Sequence, residues 1–498
     1  MNKVTNVFWI SLALVALAVG YGALAPDSFS TITDRMRLFL TNSFGWYYLL
    51  IVSGMVLFCL FFLISPMGQV RLGKDTDKPE FSFATWIAML FSAGMGIGLV
   101  FWGAAEPLSH YAIDPATAEP GTAEAFRESM RFSFFHWGIH AWAIYAIVAM
   151  ALAYAQFRKG EPGLISATLK PLFGDRMTGA WGTVVDVIAV FATVVGVATT
   201  LGFGAIQING GLAYMFEGIT AGSFVTQLVI IAVVTVLFMF SAWTGLSKGI
   251  KYLSNTNMAL AVILLLLVII LGPTLLILNM FTDTLGTYFQ NLVRMSFRAA
   301  PIDGENRAWI DGWTIFYWAW WISWAPFVGI FIARISKGRT IRQFLFGVLM
   351  LPTIISFLWF AAFGTTAINV QNSGFDMTGL MTEETLFATF SQLPLGILMS
   401  VVAVLLITTF FITSADSATF VLGMQTTNGS LHPQTAVKLT WGVAQSSIAV
   451  ILLSTGGLDT LQTVLIIAAF PFSIIMLLMM GAFYKAMNLE YKAIKRKR

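Results

Sequence analysis

Charge is what this sequence has least of. Only 10% of its 498 residues are Asp, Glu, Lys or Arg, while 57% are hydrophobic. A soluble domain carries about a quarter of its residues charged. That deficit excludes a water-soluble globule and implies a polytopic membrane protein. Cysteine is nearly absent. Cys59 stands alone in an apolar run, which excludes disulfides and leaves a thiol role without a partner. No nucleotide-binding loop, metal-ligand cluster or nucleophile paired with a base can be read along the chain. Enzymatic catalysis therefore finds no machinery, and ATP-driven pumping would need another subunit. The formal net charge of +4 calls for no nucleic-acid partner.

What is present is apolar runs. Their windows predict an all-α protein with twelve transmembrane helices, near 7–25, 45–66, 82–104, 133–156, 183–215, 225–247, 257–279, 312–333, 343–366, 395–420, 437–455 and 459–484. The first lacks a small-residue cleavage site and reads as retained. With these spans, twenty-one of the 28 Lys and Arg residues fall on the side shared by both termini. The other seven are Arg35, Arg37, Arg127, Arg131, Arg294, Arg298 and Arg307. The positive-inside rule then places both termini in the cytoplasm. The stretch 280–298 alternates Phe281, Leu285, Phe289, Leu292 and Met295 with polar residues at helical spacing. It reads equally as an amphipathic interfacial helix or a long loop.

Two spans carry helix breakers. Span three has Gly94, Gly96 and Gly98, and span eight has Pro326 and Gly329. Residues two apart face different directions on a helix, so one packing face would not use all three glycines. The two spans are five apart, an odd number, so two five-span units would insert in opposite orientation. Paired interruptions in inverted units point to a secondary transporter with a site at mid-membrane.

Aromatic rings concentrate beside these breaks. Span eight packs Trp318, Trp320, Trp321 and Trp324 around Ser323, and span four holds His136-Trp137, His140 and Trp142-Ala143-Ile144-Tyr145. Indole faces attract quaternary ammonium ions without a counter-charge. At about 100° per residue, Trp137, Trp142 and Tyr145 fall on one side of a helix. With Trp321 they would form an aromatic box. Lipid-facing or interfacial aromatics are the alternative for span four taken alone. His136 and His140 have the i, i+4 spacing of a metal pair, but nothing completes a site, and satisfied histidines are the better reading. Thr413 and Ser414 offer hard oxygens to a small cation, or bond back to their own helix. Asp416 is a functional candidate near a membrane edge, or a cap, and Asp186 is a weaker one. No carboxylate is evident at mid-depth in spans three or eight, so rings would hold the substrate cation. A channel is harder to exclude by motif, although a tight aromatic trap would hold an ion too well to conduct it.

Gly94-Met95-Gly96-Ile97-Gly98, Ala105-Glu106-Pro107, His136-Trp137, Trp142-Ala143-Ile144-Tyr145, Trp318-Ala319-Trp320-Trp321 and Ala333-Arg334-Ile335-Ser336 resemble the betaine/choline/carnitine transporter family. The likeness runs from the second span to the last and is nearest to bacterial sodium-coupled glycine betaine transporters. It implies the LeuT-like fold, with inverted five-helix repeats at spans 3–7 and 8–12. The corresponding segments are two added N-terminal helices in 1–66, repeats in 82–279 and 312–484 with the interfacial helix 280–298 between them, and a short basic tail, 485–498. It implies a homotrimer in the bacterial cell membrane and Na⁺-coupled uptake of a small zwitterionic quaternary-ammonium osmoprotectant. By the same resemblance, Trp137, Trp142, Tyr145 and Trp321 form the box, and Trp320, Trp321 and Trp324 make central contacts. Ile97, Gly98 and Thr200 sit beside the substrate carboxylate, and Gly94, Gly96 and Gly98 give flexibility. Sodium is held near Ser92 and Met95, Phe410, Thr413 and Ser414. A second family sodium site matches Thr193, but Val197 stands where its other threonine is expected. Gly98, where choline-selective relatives tend to carry an acid, favours betaine over choline. The glycine string with Thr413-Ser414 favours symport over sodium-independent carnitine exchange.

Overall fold

A backbone in lipid has no water to bond, so each crossing must satisfy its own N–H and C=O groups as a helix. The structure is a computed structural model that describes residues 3–94, 96–244 and 247–497, without the side chains at 91–94, 247–251 and 494–497. It is all-α: among the described residues no strand forms, and an isolated bridge joins Arg71 to Thr340.

The chain begins with α1 (Asn6–Leu24) and α2 (Pro26–Ile64). Next come two short helices in line with the predicted third span, α3 (Phe83–Gly94) and α4 (Ile97–Leu108). Then come α5 (Ala123–Trp137), α6 (Ile139–Ala153), the short α7 (Lys170–Phe173), α8 (Ala180–Met215), α9 (Phe224–Thr244) and α10 (Ser247–Leu271). The second half holds α11 (Thr274–Ser296), α12 (Gly304–Ile310), α13 (Phe316–Ile335), α14 (Ile341–Asn372), α15 (Thr385–Ser391), α16 (Gly396–Thr426) and α17 (Thr435–Lys497). Among the described residues, ten helical stretches are long and apolar enough to cross a membrane. One of them, α17, is two helices joined at Gly456 and Gly457, the latter at φ 61°, a left-handed turn that glycine adopts without strain. α3 and α4 are 12 residues each, too short to cross singly.

α4 is buried at every residue, and α6, α8 and α13 form the interior with it. α9 instead turns Val225, Val233 and Val236 outward, an apolar exterior suited to lipid. Small residues let the interior helices approach. A Cβ on Gly103 of α4 would lie 2.6 Å from Nε1 of Trp359 on α14, whose N–H donates to Leu99 O at 2.9 Å. α14 is started by Thr340, which caps Gln343 N–H while the Gln343 side chain returns to Thr340 N–H.

Four expectations change. Span eight is not broken: α13 runs unbroken through Pro326, and a π-helical turn, Asp311–Ile315, precedes it. Neighbouring helices stabilise a proline within a membrane helix. Span four, expected to be continuous, breaks at Gly138 (φ −95°, ψ −141°) between α5 and α6. The second helix reaches back to Pro26, well before residue 45. Of the two readings of 280–298 the helical one holds as far as Ser296, but within the longer α11, which has Ile277, Thr284, Tyr288 and Met295 on its buried side. Met95 lies outside the described residues, as do the side chains of Ser92, Gly94 and the basic end Lys495-Arg496-Lys497-Arg498.

The far end of α17 is clasped to α6. Arg158, in the π-helical turn after α6, donates from Nε and Nη2 to Glu490 at 3.0 and 2.8 Å and from Nη1 to Gly73 O at 2.7 Å. Lys159 also bonds Glu490, but its side chain is 46% exposed against 8% for Arg158. Arg158→Ala is therefore expected to destabilise the protein by about 2–3 kcal/mol, the loss of charged hydrogen bonds. Lys159→Ala should cost less than about 1 kcal/mol. Thermal unfolding of the purified variants measures both, and equal midpoints would contradict the ranking.

Candidate functional site: an aromatic cavity

The break between α3 and α4 leaves Gly96 extended (φ −147°, ψ −176°) and exposes the N-terminus of α4. The first N–H groups of a helix lack intrahelical partners and carry partial positive charge. A cavity opens against this end, lined by Gly96, Gly98, Leu99, Trp137, Ala141, Trp142, Tyr145, Thr200, Trp320, Trp321, Trp324 and Ser356. Every predicted substrate-side residue is on this wall except Ile97, whose buried side chain packs towards Gly204. Sequence reasoning had not singled out Leu99, Ala141 or Ser356. Ser356 is a polar residue within an apolar run, the one signal available for it.

The rings are fixed by their edges. Trp321 N–H donates to His136 O (3.0 Å), Trp324 N–H to Gly196 O (2.8 Å) and Trp320 N–H to Thr200 Oγ1 (3.2 Å). Trp137 N–H donates to Glu106 Oε2 at 2.8 Å. Trp320 and Trp321 stack at 4.9 Å and 15°. Trp137 meets Trp321 at 4.8 Å and 71°, Tyr145 meets Trp321 at 6.3 Å and 73°, and Trp142 meets Tyr145 at 5.6 Å and 76°. Successive near-perpendicular planes make the corners of a box. Trp318, in the same run, faces away and stacks on His140 at 5.1 Å and 13°. Trp137 lies before the Gly138 break and Trp142 and Tyr145 after it, so the three do not share one helix as expected. The three still meet, through α13.

The carboxylate that the sequence reading did not find is Glu106 on α4, fully buried. Glu106 Oε2 accepts from Trp137 N–H and from Tyr317 O–H (2.6 Å), and Oε1 lies 2.7 Å from His136 Nδ1. His136 Nε2 pairs with Thr314 Oγ1 at 3.0 Å, and His140 Nε2 with Ser296 Oγ at 2.9 Å. His136 is thus satisfied at both nitrogens, as read, whereas His140 is satisfied at Nε2 alone, its buried Nδ1 having no partner among the described residues. However, Glu106, His110 and His136 do come together as a group of metal-ligand type, which the sequence reading had denied. Glu106 and His110 are one helical turn apart, and only the fold brings His136 to them.

The proposed cation ligands are divided. Thr413 Oγ1 bonds back to Thr409 O and Phe410 O (3.0 and 3.2 Å) and accepts from Asn257 Nδ2 at 3.0 Å. Ser414 is half-buried and Phe410 buried beside it on α16. Thr193 is buried and bonds back to Ala189 O at 2.8 Å, with Val197 also buried one turn on. Asp416 accepts from Ser241 Oγ at 2.9 Å, and Asp186 from Ser166 N–H and Oγ–H at 2.9 and 2.7 Å, so both hold helices together.

Helices that break around a buried ring-lined cavity inside a membrane protein define a small-molecule transporter as the class. The chain matches the model of the family described as "BCCT, betaine/carnitine/choline family transporter" over residues 6–492, and it belongs to that family. It is 58% identical to "Glycine betaine transporter OpuD" of Bacillus subtilis (strain 168), covering 100% of this chain and 97% of that one. It is 45% identical to "Ectoine/hydroxyectoine transporter" of Virgibacillus pantothenticus, over 98% of each. A solved structure of a Na⁺-coupled sialic acid symporter in its substrate-bound outward-open state aligns with TM-score 0.48 and 15% identity, over 86% of this chain and 85% of that one. The protein is a transporter and not an enzyme.

A Cβ on Gly98 would fall 2.5 Å from Trp320 Cη2 and 3.2 Å from Trp137 Cη2, whereas one on Gly96 meets nothing within 4 Å. Gly98→Ala is expected to overpack the cavity and cost about 1–3 kcal/mol. Gly96→Ala should leave the midpoint of thermal unfolding in place, and a larger fall for Gly96→Ala than for Gly98→Ala would refute this packing.

Proposed function

We propose that this protein is a Na⁺-coupled symporter that takes up glycine betaine, or a closely related quaternary-ammonium osmoprotectant, by alternating access. The observation that carries the proposal is the box itself: rings pinned by their N–H edges, so that their faces meet one cavity. A trimethylammonium group fits such faces, because a cation is attracted by the ring quadrupole and needs no buried counter-ion. The opposite wall is the N-terminus of α4 with Gly98 and Thr200 beside it, and a carboxylate is stabilised there. A zwitterion meets both halves of the cavity, while choline lacks the group for the second half.

Sodium would bind between the α3–α4 break and α16, using Thr413 and Ser414 with Phe410, Ser92 and Met95. Thr193 beside Val197 supports a single sodium more than two, since valine supplies no side-chain oxygen. The working topology is twelve crossings with two N-terminal helices in 1–66 and inverted five-helix repeats in 82–279 and 312–484. The helix in 280–298 lies at the interface, and both termini, with the tail 485–498, lie in the cytoplasm of a bacterial cell. The homotrimer implied by the family resemblance belongs to the same reading.

Two measurements bear on it. Trp321→Ala removes a desolvated cation–π wall worth about 2 kcal/mol, about 30-fold in apparent affinity for labelled glycine betaine in proteoliposomes. Wild-type affinity in that variant would reject the box. Thr413→Ala should shift half-maximal sodium activation to higher concentration. Unchanged sodium dependence, or uptake indifferent to a sodium gradient, would favour exchange. Competition by choline, carnitine and ectoine ranks the substrates in the same assay.

A further inference from the structure

We propose that Glu106, His110 and His136 form a binding site for a divalent transition metal ion of the Zn²⁺ type, next to the aromatic cavity but separate from it. One ligand atom from each lies within 4.8 Å of the others, and all three side chains are fully buried. The independent sign is His110. Among the described residues, neither of its ring nitrogens has a hydrogen-bond partner, although the ring is 0% exposed. An unpaired buried polar atom costs about 1–3 kcal/mol, and an ion on Nε2 would relieve one of the two, leaving Nδ1 without a partner. His110 Nε2 faces the cluster, 3.4 Å from Glu106 Oε1. That separation matches the edge of a zinc tetrahedron, about 3.4 Å for ligands at about 2.0–2.1 Å from the ion. His136 Nδ1, now 2.7 Å from the same oxygen, would have to draw back from it to make room for the ion.

The surroundings are those of a metal site. Ligating histidines usually bond their other nitrogen to an outer partner, which fixes the tautomer. His136 Nε2 has Thr314 Oγ1 at 3.0 Å. Glu106 keeps Oε1 for the ion, while Oε2 is held by Trp137 N–H and Tyr317 O–H. Two histidines and one carboxylate leave a fourth position for water, the pattern of open zinc sites. His110 lies in a π-helical turn, Ser109–Ile113, and Thr314 in another, Asp311–Ile315. Such turns concentrate at functional sites. The bound ion would tie α4 to α5 and, through Trp321 N–H on His136 O, to α13. Metal binding itself does not rest on the transport reading. Inhibition of uptake by Zn²⁺ is its consequence if that reading holds.

The test uses the full-length chain, purified through a tag without histidine and stripped with chelator, titrated with Zn²⁺ by calorimetry. One Zn²⁺ per chain is expected, with a raised unfolding midpoint. His110→Phe keeps a ring against Trp309 and Trp313 (4.9 and 4.4 Å in the wild type) but supplies no ligand. It should weaken binding by at least about 100-fold, since loss of an outer-shell partner alone costs about 10–100-fold. His432→Ala, a control on a histidine outside the cluster, should bind as the wild type does. Absence of saturable binding in the wild type, or equal binding in a folded His110→Phe, would overturn the site, as would loss of binding in His432→Ala. Because calorimetry reads the ion directly, a chain that binds Zn²⁺ without transporting betaine would still support the site while refuting the transport proposal.

Discussion

One buried carboxylate organises the centre of this protein. Glu106 is fully buried among apolar helices, and a charge there persists only if its lone pairs are used. They are used by an indole, a phenol and an imidazole from α5 and α13. The same bonds set the tilt of Trp137 and Tyr317 and the position of His136, whose carbonyl then takes the N–H of Trp321. The box is therefore held from behind. Its walls are apolar, but their orientation is decided by hydrogen bonds one layer out. Removing that layer would leave the same rings with no reason to converge.

The protein solves two opposing needs with broken helices. Continuous helices satisfy their backbone in lipid, while a binding site needs free N–H and C=O groups. The break at Gly96 borders the cavity, and the break at Gly138 is buried next to Trp137, which lines it. One break bares the start of α4. The other lets Trp137 and Trp142 leave different helix segments and reach one space.

Much of this was legible in the sequence, for a physical reason: membrane helices announce themselves by length, and ring-rich or glycine-rich interruptions are rare in them. The indole run, the span-four aromatics and the glycine string were visible, and they meet in one cavity. Other features were hidden. Gly138 is one of 43 glycines and looks like packing until the angles around it are seen. Glu106 stood in plain view before Pro107, but its partners lie some 30 and 200 positions away in sequence, and burial is a property of the fold. Pro326 misled in the other direction, because a proline removes one donor and neighbouring helices can absorb that loss. Ile97 is adjacent to two cavity residues, yet helix rotation of about 100° per position turns its side chain elsewhere.

The diglycine at 456–457 divides α17 unequally. Beyond it the helix runs from Leu458 through Pro471 to Lys497. At about 1.5 Å per residue that arm is roughly 60 Å long. A stiff rod pivoting near one end moves its tip by the angle multiplied by its length, so a tilt too slight to disturb the side chains beside the pivot becomes ångströms of travel at Glu490. The clasp with Arg158 sits near that distant tip, and so it feels any pivoting with the greatest leverage the helix offers.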